Sequence, residues 1–352
     1  MGGQEQYIIR MMLSMRARGH HLEAVCQPHA KLTPRLRDEG FTVHTTVMGG
    51  PLNFVKGVAK IRRVLREGRF DVLNTHSRRD TLIAGCAGRL AGTPLIVRTR
   101  HLAKRAGSLL SYTIIPHRVT TPSDFVRNHL IERGVKPEYV ATVYPAVDLA
   151  PAPQQSTLRQ ELHLAQDDIV VGCVAVMRLQ KGHRELIDAM EPLVKERPNV
   201  HLVLVGGGSP ILEQVQAYAA GKDMQERVHF LGTRRDVPNL LAGFDIFALA
   251  TRTEASGTVF VEAGAAGLPV VGTNVDGVPE MLQDGVTGLL VPLDDRQALT
   301  DALRRLMDDA GLRRRMGQAG LNFCRLEGRF TPESMARRIE ANYVRWLAER
   351  LS

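Results

Sequence analysis

Between Thr251 and Gly272 the chain reads TRTEASGTVFVEAGAAGLPVVG, which sets two carboxylates, a glycine turn, a helix start and a buried strand side by side. Glu254 follows the apolar run Phe244 to Ala250, Gly257 permits a sharp turn, and a helix is expected from Thr258 to about Ala266, ended by Gly267-Leu268-Pro269. Glu262 lies four residues after Thr258, so it shares a helical face with that first-turn residue and leans back toward the helix start. Backbone N–H groups at a helix start attract an anion, and flanking carboxylates accept hydrogen bonds from the hydroxyls of a polyol. The chemistry implied is a phosphate beside a sugar. An ordinary surface helix with two solvated carboxylates is the other reading of the same residues.

A second group follows another apolar run. In Val176-Met-Arg178-Leu-Gln-Lys181-Gly182 two cations stand three residues apart where a parallel strand ends, placed to clamp a diphosphate. A solvated surface pair is the alternative. The turn Gly206-Gly207-Gly208 after Val203-Leu-Val does not match GxGxxG, and no acidic residue falls about 20 positions on at a strand end. Gly206 therefore reads either as a close approach of backbone to a nucleotide or as a plain tight turn. Near the front, Asn74-Thr-His76-Ser-Arg78-Arg79 and Arg98-Thr-Arg100-His101 both follow strand-like runs, so two histidines and several arginines project from one sheet edge. His101 is a sugar or acceptor contact, or a satisfied structural histidine. No HExxH or GxSxG occurs, so neither a zinc site nor a serine hydrolase is supported.

Elements of two kinds must position these residues. Short β-rich runs alternate with amphipathic stretches along nearly the whole chain, the pattern of βα units building parallel sheets. One series has strands expected at 21–26, 42–46, 71–75, 95–99, 118–121 and 140–143, the other at 169–176, 200–205, 228–231, 246–249, 269–271 and 288–291. The segment Tyr144 to Pro153, rich in proline, is the expected boundary and hinge, which gives domains 1–148 and 149–330. A last helix, 331–352, carries the one tryptophan, Trp346. The front is unusual: Gly2-Gly3 stands before a helical pattern, Tyr7 to Arg18, with no strand ahead of it. A doubly wound domain ordinarily has its first strand there, so the expectation is that a strand is missing upstream and that Met1 is an internal start.

Composition fits a globular protein, with 352 residues, 44% apolar and 24% charged. Four separated cysteines, Cys26, Cys86, Cys173 and Cys324, read as buried thiols, and with no signal segment a cytoplasmic location is expected. The net charge of +9 sits in the first half, +12 over 1–148 against −3 over 149–352. The segment Phe54 to Arg69 carries Lys56, Lys60, Arg62, Arg63, Arg66 and Arg69 around an apolar face, and suits either an anionic lipid surface or plain solvation. With 5% aromatic residues and no basic stretch interleaved with aromatics, nucleic acid is disfavoured.

Taken together, Gly2-Gly3-Gln-Glu5, His76, Thr99-Arg-His101, Tyr144-Pro-Ala-Val-Asp148, Arg178-Leu-Gln-Lys181-Gly182, the Glu254-x7-Glu262 pair and Gly277-Val-Pro279-Glu280 make the chain resemble the retaining nucleotide-sugar glycosyltransferases of family 4. The resemblance implies a GT-B fold, two facing Rossmann-like α/β domains with the C-terminal helix returning to the first, which binds the acceptor while the second binds the donor. It implies that Arg178 and Lys181 bind the donor diphosphate, Glu254 the sugar hydroxyls and Glu262 the ribose. Thr258 and Val259 would offer N–H groups to the phosphate, His101 would approach the sugar, and the Gly2-Gly3 loop would lie against the diphosphate. The co-substrate would be a nucleotide sugar, with no cofactor or metal, and the acceptor a glycan or lipid-linked molecule of the cell-surface polysaccharide or lipopolysaccharide type. Glu254-Ala-Ser-Gly257 and Asp276-Gly-Val-Pro-Glu280 depart from the usual Glu-Gly-Phe-Gly and Gly-Gly-x-Pro-Glu, which bears on donor identity. The alternatives are a nucleotide-sugar epimerase of the same fold and a non-catalytic sugar-nucleotide-binding protein.

Overall fold

The computed structural model describes residues 2–104, 106–147, 155–325 and 328–351; Met1 and the connection from Asp148 to Gln154, where the boundary and hinge were expected, lie outside them. The chain divides into two compact units, one of Met1–Ala146 with Phe330–Ser352, the other of Val147–Arg329.

The first unit begins with α1 (Gly3–Ala17), followed by β1 (Glu23–Cys26), α2 (Leu32–Asp38), β2 (Thr42–Thr45), α3 (Pro51–Glu67), β3 (Val72–Thr75), α4 (Arg78–Ala91) and β4 (Leu95–Thr99). It continues through α5 (Leu110–Thr113), β5 (Arg118–Thr121), α6 (Asp124–Glu132) and β6 (Val140–Thr142). The second unit runs α7 (Leu158–Glu161), β7 (Ile169–Val174), α8 (His183–Glu196), β8 (Val200–Val205), α9 (Ile211–Ala220), β9 (Val228–Gly232), α10 (Val237–Ala242) and β10 (Ile246–Leu249). It ends with α11 (Thr258–Ala265), β11 (Val270–Thr273), β12 (Gly288–Val291), α12 (Arg296–Asp308) and α13 (Ala310–Arg325), after which α14 (Pro332–Leu351) belongs to the first unit again.

In the second unit six strands pair in the order β12-β11-β10-β7-β8-β9, all parallel. The runs are apolar because both faces are covered: every residue of β8 and of β10 is buried. Since β8 and β9 go to one side of β7 and β10 to β12 to the other, the winding reverses between β7 and β10. In such sheets ligands bind outside the carboxyl ends of the strands at that reversal.

In the first unit the strands do not join into one sheet. β1 pairs with β2, and β3-β4-β5-β6 form a separate parallel sheet. A doubly wound order would put one more strand between β1 and β3, and none stands there among the described residues. Both edges share helix layers: Val25 of β1 and Leu73 of β3 pack on the cluster of Ile61, Leu65, Ile83 and Ala87 from α3 and α4. On the other side, Ala24 and Cys26 pack with α1 and α14, and Asn74 of β3 donates to the Tyr343 hydroxyl of α14 at 2.8 Å. Trp346, fully buried, packs on Leu95 and Val97 of β4. That contact buries the amphipathic face that makes α14 part of this unit.

The helix expected from Tyr7 starts earlier, at Gly3, and Gly2 is its N-cap in extended geometry. The Gly2 N–H donates to Glu5 Oε2 at 2.8 Å, so a side chain in the first turn satisfies a backbone donor that would otherwise be an orphan. No helix among the described residues is long and apolar enough to cross a membrane.

Candidate active site

The loops after β7 and β10 meet at the point of reversal. After β7 the chain passes exposed Arg178, makes one short turn over Leu179–Lys181, and reaches Gly182 in the left-handed conformation at φ 66°. Glycine is required there twice over, by the dihedral and because a Cβ would sit 1.7 Å from the Ala250 carbonyl oxygen. This close approach binds the β7 loop to the end of β10, and the Arg252 N–H and Thr251 hydroxyl reinforce it by donating to the Gln180 carbonyl at 2.8 and 3.0 Å. Lys181 is thereby delivered to Glu254, and the two form an ion pair with both side chains about three-quarters or more covered.

Glu254 is braced from behind. Its N–H donates to Asp276 Oδ2 at 3.0 Å, Thr253 Oγ1 donates to the same oxygen at 2.6 Å, and the Gly277 N–H donates to the Glu254 carbonyl at 3.0 Å. Asp276 takes a left-handed φ of 48° to do so. The sequence shows Asp276 only as a departure from a motif; its bracing role depends on two loops meeting, which spacing does not reveal. Gly257, at φ 67°, then caps α11, and Thr258 and Val259 bring their N–H groups into the first turn. Glu262 follows one turn later, half-buried.

Gly206 makes a second close approach of the same kind as Gly182. Its φ is 149°, and a Cβ would lie 1.8 Å from the Ala175 carbonyl oxygen, so the missing side chain is needed for the approach of the β8 end to the β7 end. His183, the first residue of α8, is buried, and burial with the nearby Lys181 charge pulls its pKa down to about 4. It is a neutral imidazole at pH 7.

In the first unit, His76 follows β3 and His101 follows β4, and adjacent strand ends bring them together with His76 Nδ1 3.0 Å from His101 Nε2. Tyr7 of α1 sets its ring edge-on to His101 at 4.8 Å between centroids. His76 is fixed by the cap of α4: its N–H donates to Asp80 Oδ2 at 3.0 Å, while the Ser77 N–H donates to Asp80 Oδ1 at 2.6 Å. Burial lowers the pKa of His76 to about 4, and burial together with His76 lowers that of His101. One neutral ring donates and the other accepts. Gln4 of α1 lines the same hollow as His76 and His101, which sets the start of that helix at this sheet edge. Arg98 and Arg100, expected to project from the edge, are instead buried. Among the described residues, no group of three or more metal-ligating side chains converges.

The paired cation and carboxylate at a strand reversal, beside a helix start, can hold a phosphorylated polyol, and the comparisons with known proteins agree with that chemistry. Residues 1–151 match the family model described as Glycosyltransferase Family 4, and residues 154–323 the model described as Glycosyl transferases group 1. A phosphatidyl-myo-inositol mannosyltransferase of Mycobacterium leprae is 30% identical over 337 residues, spanning 91% of this chain and 87% of the relative. An Escherichia coli UDP-Gal:alpha-D-GlcNAc-diphosphoundecaprenol alpha-1,3-galactosyltransferase is 27% identical over 310 residues, spanning 82% and 80%. Among solved structures, a glycosyltransferase from Rickettsia africae superposes with a TM-score of 0.90 at 20% identity, covering 98% of this chain and 95% of the other. Anabaena HepE in complex with UDP-glucose gives 0.85 at 23% identity, covering 98% and 96%. With this fold and these relatives, the chain is a glycosyltransferase that belongs to family 4 and has the GT-B architecture of two parallel-sheet α/β units.

Proposed function

We propose that this enzyme moves a sugar from a nucleotide-sugar donor, with retention at the anomeric carbon, onto a lipid-linked or glycan acceptor at the inner face of the cytoplasmic membrane, in assembly of a cell-surface polysaccharide or lipopolysaccharide. The observation that carries this reading is the Lys181–Glu254 ion pair at the β7/β10 reversal, next to the first turn of α11. Lys181 and Glu254 satisfy one another in the structure, a pairing that the donor would exchange for its own groups. When the donor enters, Lys181 and Arg178 turn to the diphosphate, and Glu254 is released to accept hydrogen bonds from sugar hydroxyls. Thr258 and Val259 N–H groups face the phosphate, Glu262 accepts from the ribose, and Gly206 shapes the strand end. His101, with the Gly2-Gly3 turn, belongs to the sugar and acceptor side.

In the step itself, the bond from the anomeric carbon to the diphosphate oxygen breaks and the acceptor oxygen bonds to the same face of the sugar. The acceptor proton passes to the departing phosphate oxygen, so no enzyme carboxylate becomes attached to the sugar. The charge growing on the diphosphate meets Arg178, Lys181 and the positive end of α11, which the proposal assigns the task that a divalent ion performs in other transferases.

The relatives support the substrate class. The names of two of them specify a diphosphoundecaprenol-linked and a phosphatidyl-inositol substrate, and HepE was solved with UDP-glucose. Membrane contact is assigned to α3, where Leu52 and Val55 are 77% and 66% exposed beside Lys56, Arg63 and Arg66. A thermal-shift screen of UDP- and GDP-sugars tests the reading: at 100 times its dissociation constant a ligand of the folded state adds about 2.7 kcal/mol. At least one donor should raise the melting temperature of the wild type and fail to do so for Glu262→Ala. Indifference of the wild type to every nucleotide sugar contradicts it.

A further inference from the structure

In the first unit a cavity of about 210 Å³ opens at the carboxyl ends of β3 and β4, lined by His76, Arg78, Arg98, Arg100, His101 and Lys104 among others. Arg98 and Arg100 alternate onto one face of β4 and its continuation, and each is only 6% exposed. Every partner that holds them is neutral. Arg98 donates to the Ser111 carbonyl at 3.0 Å and to the Ser111 hydroxyl, and its guanidinium carbon lies 3.7 Å from the Tyr112 ring centroid. Arg100 donates to the Tyr112 hydroxyl and the Lys104 carbonyl. The Nε atoms of both arginines are buried without a partner, and among the described residues neither arginine forms an ion pair. The carboxylate whose charge acts on Arg98 is that of Asp80, and its oxygens accept from the backbone N–H groups of His76, Ser77 and Thr81.

Burying two like charges without a counter-charge is costly, and neutral acceptors orient the guanidinium forks without cancelling their charge. A purely structural arginine pair would be expected to find a carboxylate. Here Arg78 and Lys104, both exposed, add two more cations to the same rim, and none of the lining residues is acidic. Four cations and two neutral imidazoles around a small hollow suit a compact anion bearing more than one charge.

We propose that this cavity is a second anion site, separate from the donor clamp of Arg178 and Lys181, and that it takes the phosphate or diphosphate group of the acceptor. The acceptor part rests on the transfer reading above; the anion site does not. A lipid-borne phosphate and a soluble phosphate present the same group.

The test is calorimetry at constant ionic strength with pyrophosphate as probe, on the full chain carrying Arg178→Gln and Lys181→Gln, so that the two cations of the donor clamp contribute nothing. This protein should still bind pyrophosphate. Adding the surface changes Arg78→Gln and Lys104→Gln should weaken binding at least 10-fold, and Arg100→Lys, which keeps the charge but loses the fork, should weaken it as well. Displacement of pyrophosphate by monomeric dihexanoyl phosphatidic acid supports a lipid-borne source, and displacement by inorganic phosphate alone supports a soluble one. Failure of the donor-clamp variant to bind pyrophosphate, or binding indifferent to the Arg78, Lys104 and Arg100 changes, overturns the site. Neither result touches nucleotide-sugar binding by the wild type, so the transfer reading stands or falls on its own screen.

Discussion

Lys181 and Glu254 are joined as an ion pair across the strand reversal of the second unit, although 73 residues separate them. Each is set by a loop that follows a different strand, and the approach of Gly182 to Ala250 holds the two loops in register. The pair is partly shielded from solvent, so removing either member leaves the other less well satisfied.

Lys181→Gln should lower kcat by roughly 10²–10³-fold, the usual loss for one charge-stabilising donor. The fold should be unchanged, since Gln can still accept the short turn. Steady-state kinetics with a donor identified by the thermal-shift screen checks this. A loss below about threefold would take Lys181 out of the reaction.

Gly182→Ala should destabilise the second unit by about 2–4 kcal/mol and abolish donor binding, because the left-handed φ and the Ala250 carbonyl both exclude a Cβ. Urea unfolding of wild type and variant measures it. A variant of wild-type stability that binds donor would mean that the close approach is not needed.

Stability should fall as pH drops from 6.5 toward 4. His76 and His183 have pKa values lowered to about 4 and His117 to about 3, in each case chiefly by burial. Unfolding returns them to about 6.5, so the unfolded chain binds more protons across this window, and the stability that each neutral imidazole contributes is present above it and lost within it. One such histidine is worth about 2–3 kcal/mol. His117 shows why: its Nδ1 accepts from the Ile96 N–H at 3.0 Å, an interaction protonation would break. Melting temperatures between pH 4 and 7.5 provide the check, and a flat profile would contradict the burial argument.

Trp346→Ala should cost the first unit about 3–5 kcal/mol, since the ring is fully buried against Leu95 and Val97. Amide exchange resolves the effect by unit: protection should drop in β4 and α14 and stay constant in β7 and β8.

Chelation should leave the transfer rate unchanged if Arg178, Lys181 and α11 carry the diphosphate charge as proposed. Assays with and without EDTA decide it, and a rate restored only by a divalent ion would reassign that task.

Much of this architecture is visible in the chain before any coordinate. Leu95–Thr99, Arg118–Thr121, Val200–Val205, Ile246–Leu249 and Gly288–Val291 are strands over the expected spans; Ile246–Leu249 and Gly288–Val291 are short apolar runs, as parallel strands covered on both faces ordinarily are, and Arg118–Thr121 carries β-branched Val119, Thr120 and Thr121 instead. Others shift at their ends: the run expected to Val176 stops at Val174, where the chain turns into the Arg178 loop. Strand order is another matter. Nothing local in Ile169 or Ile246 says that β7 and β10 are neighbours, so the ion pair was not legible, only its members. The bracing role of Asp276 is hidden for the same reason, being made by two loops distant in sequence, whereas His76 and His101 are legible as residues of one sheet edge and only their direct 3.0 Å contact is not. Arg98 misled because a charged residue at a strand end is ordinarily at the surface, whereas here Ser111 and Tyr112 from α5 cover it.

The central claim, that Lys181 and Glu254 divide the donor between them, is tested most directly by calorimetry of UDP, GDP and the matching nucleotide sugars on wild type and Glu254→Gln. The nucleoside diphosphate should bind the variant at least as tightly as the wild type, because Lys181 no longer has Glu254 to leave, while the added affinity conferred by the sugar disappears. Loss of nucleoside diphosphate binding in Glu254→Gln, or an undiminished contribution from the sugar, would contradict the account.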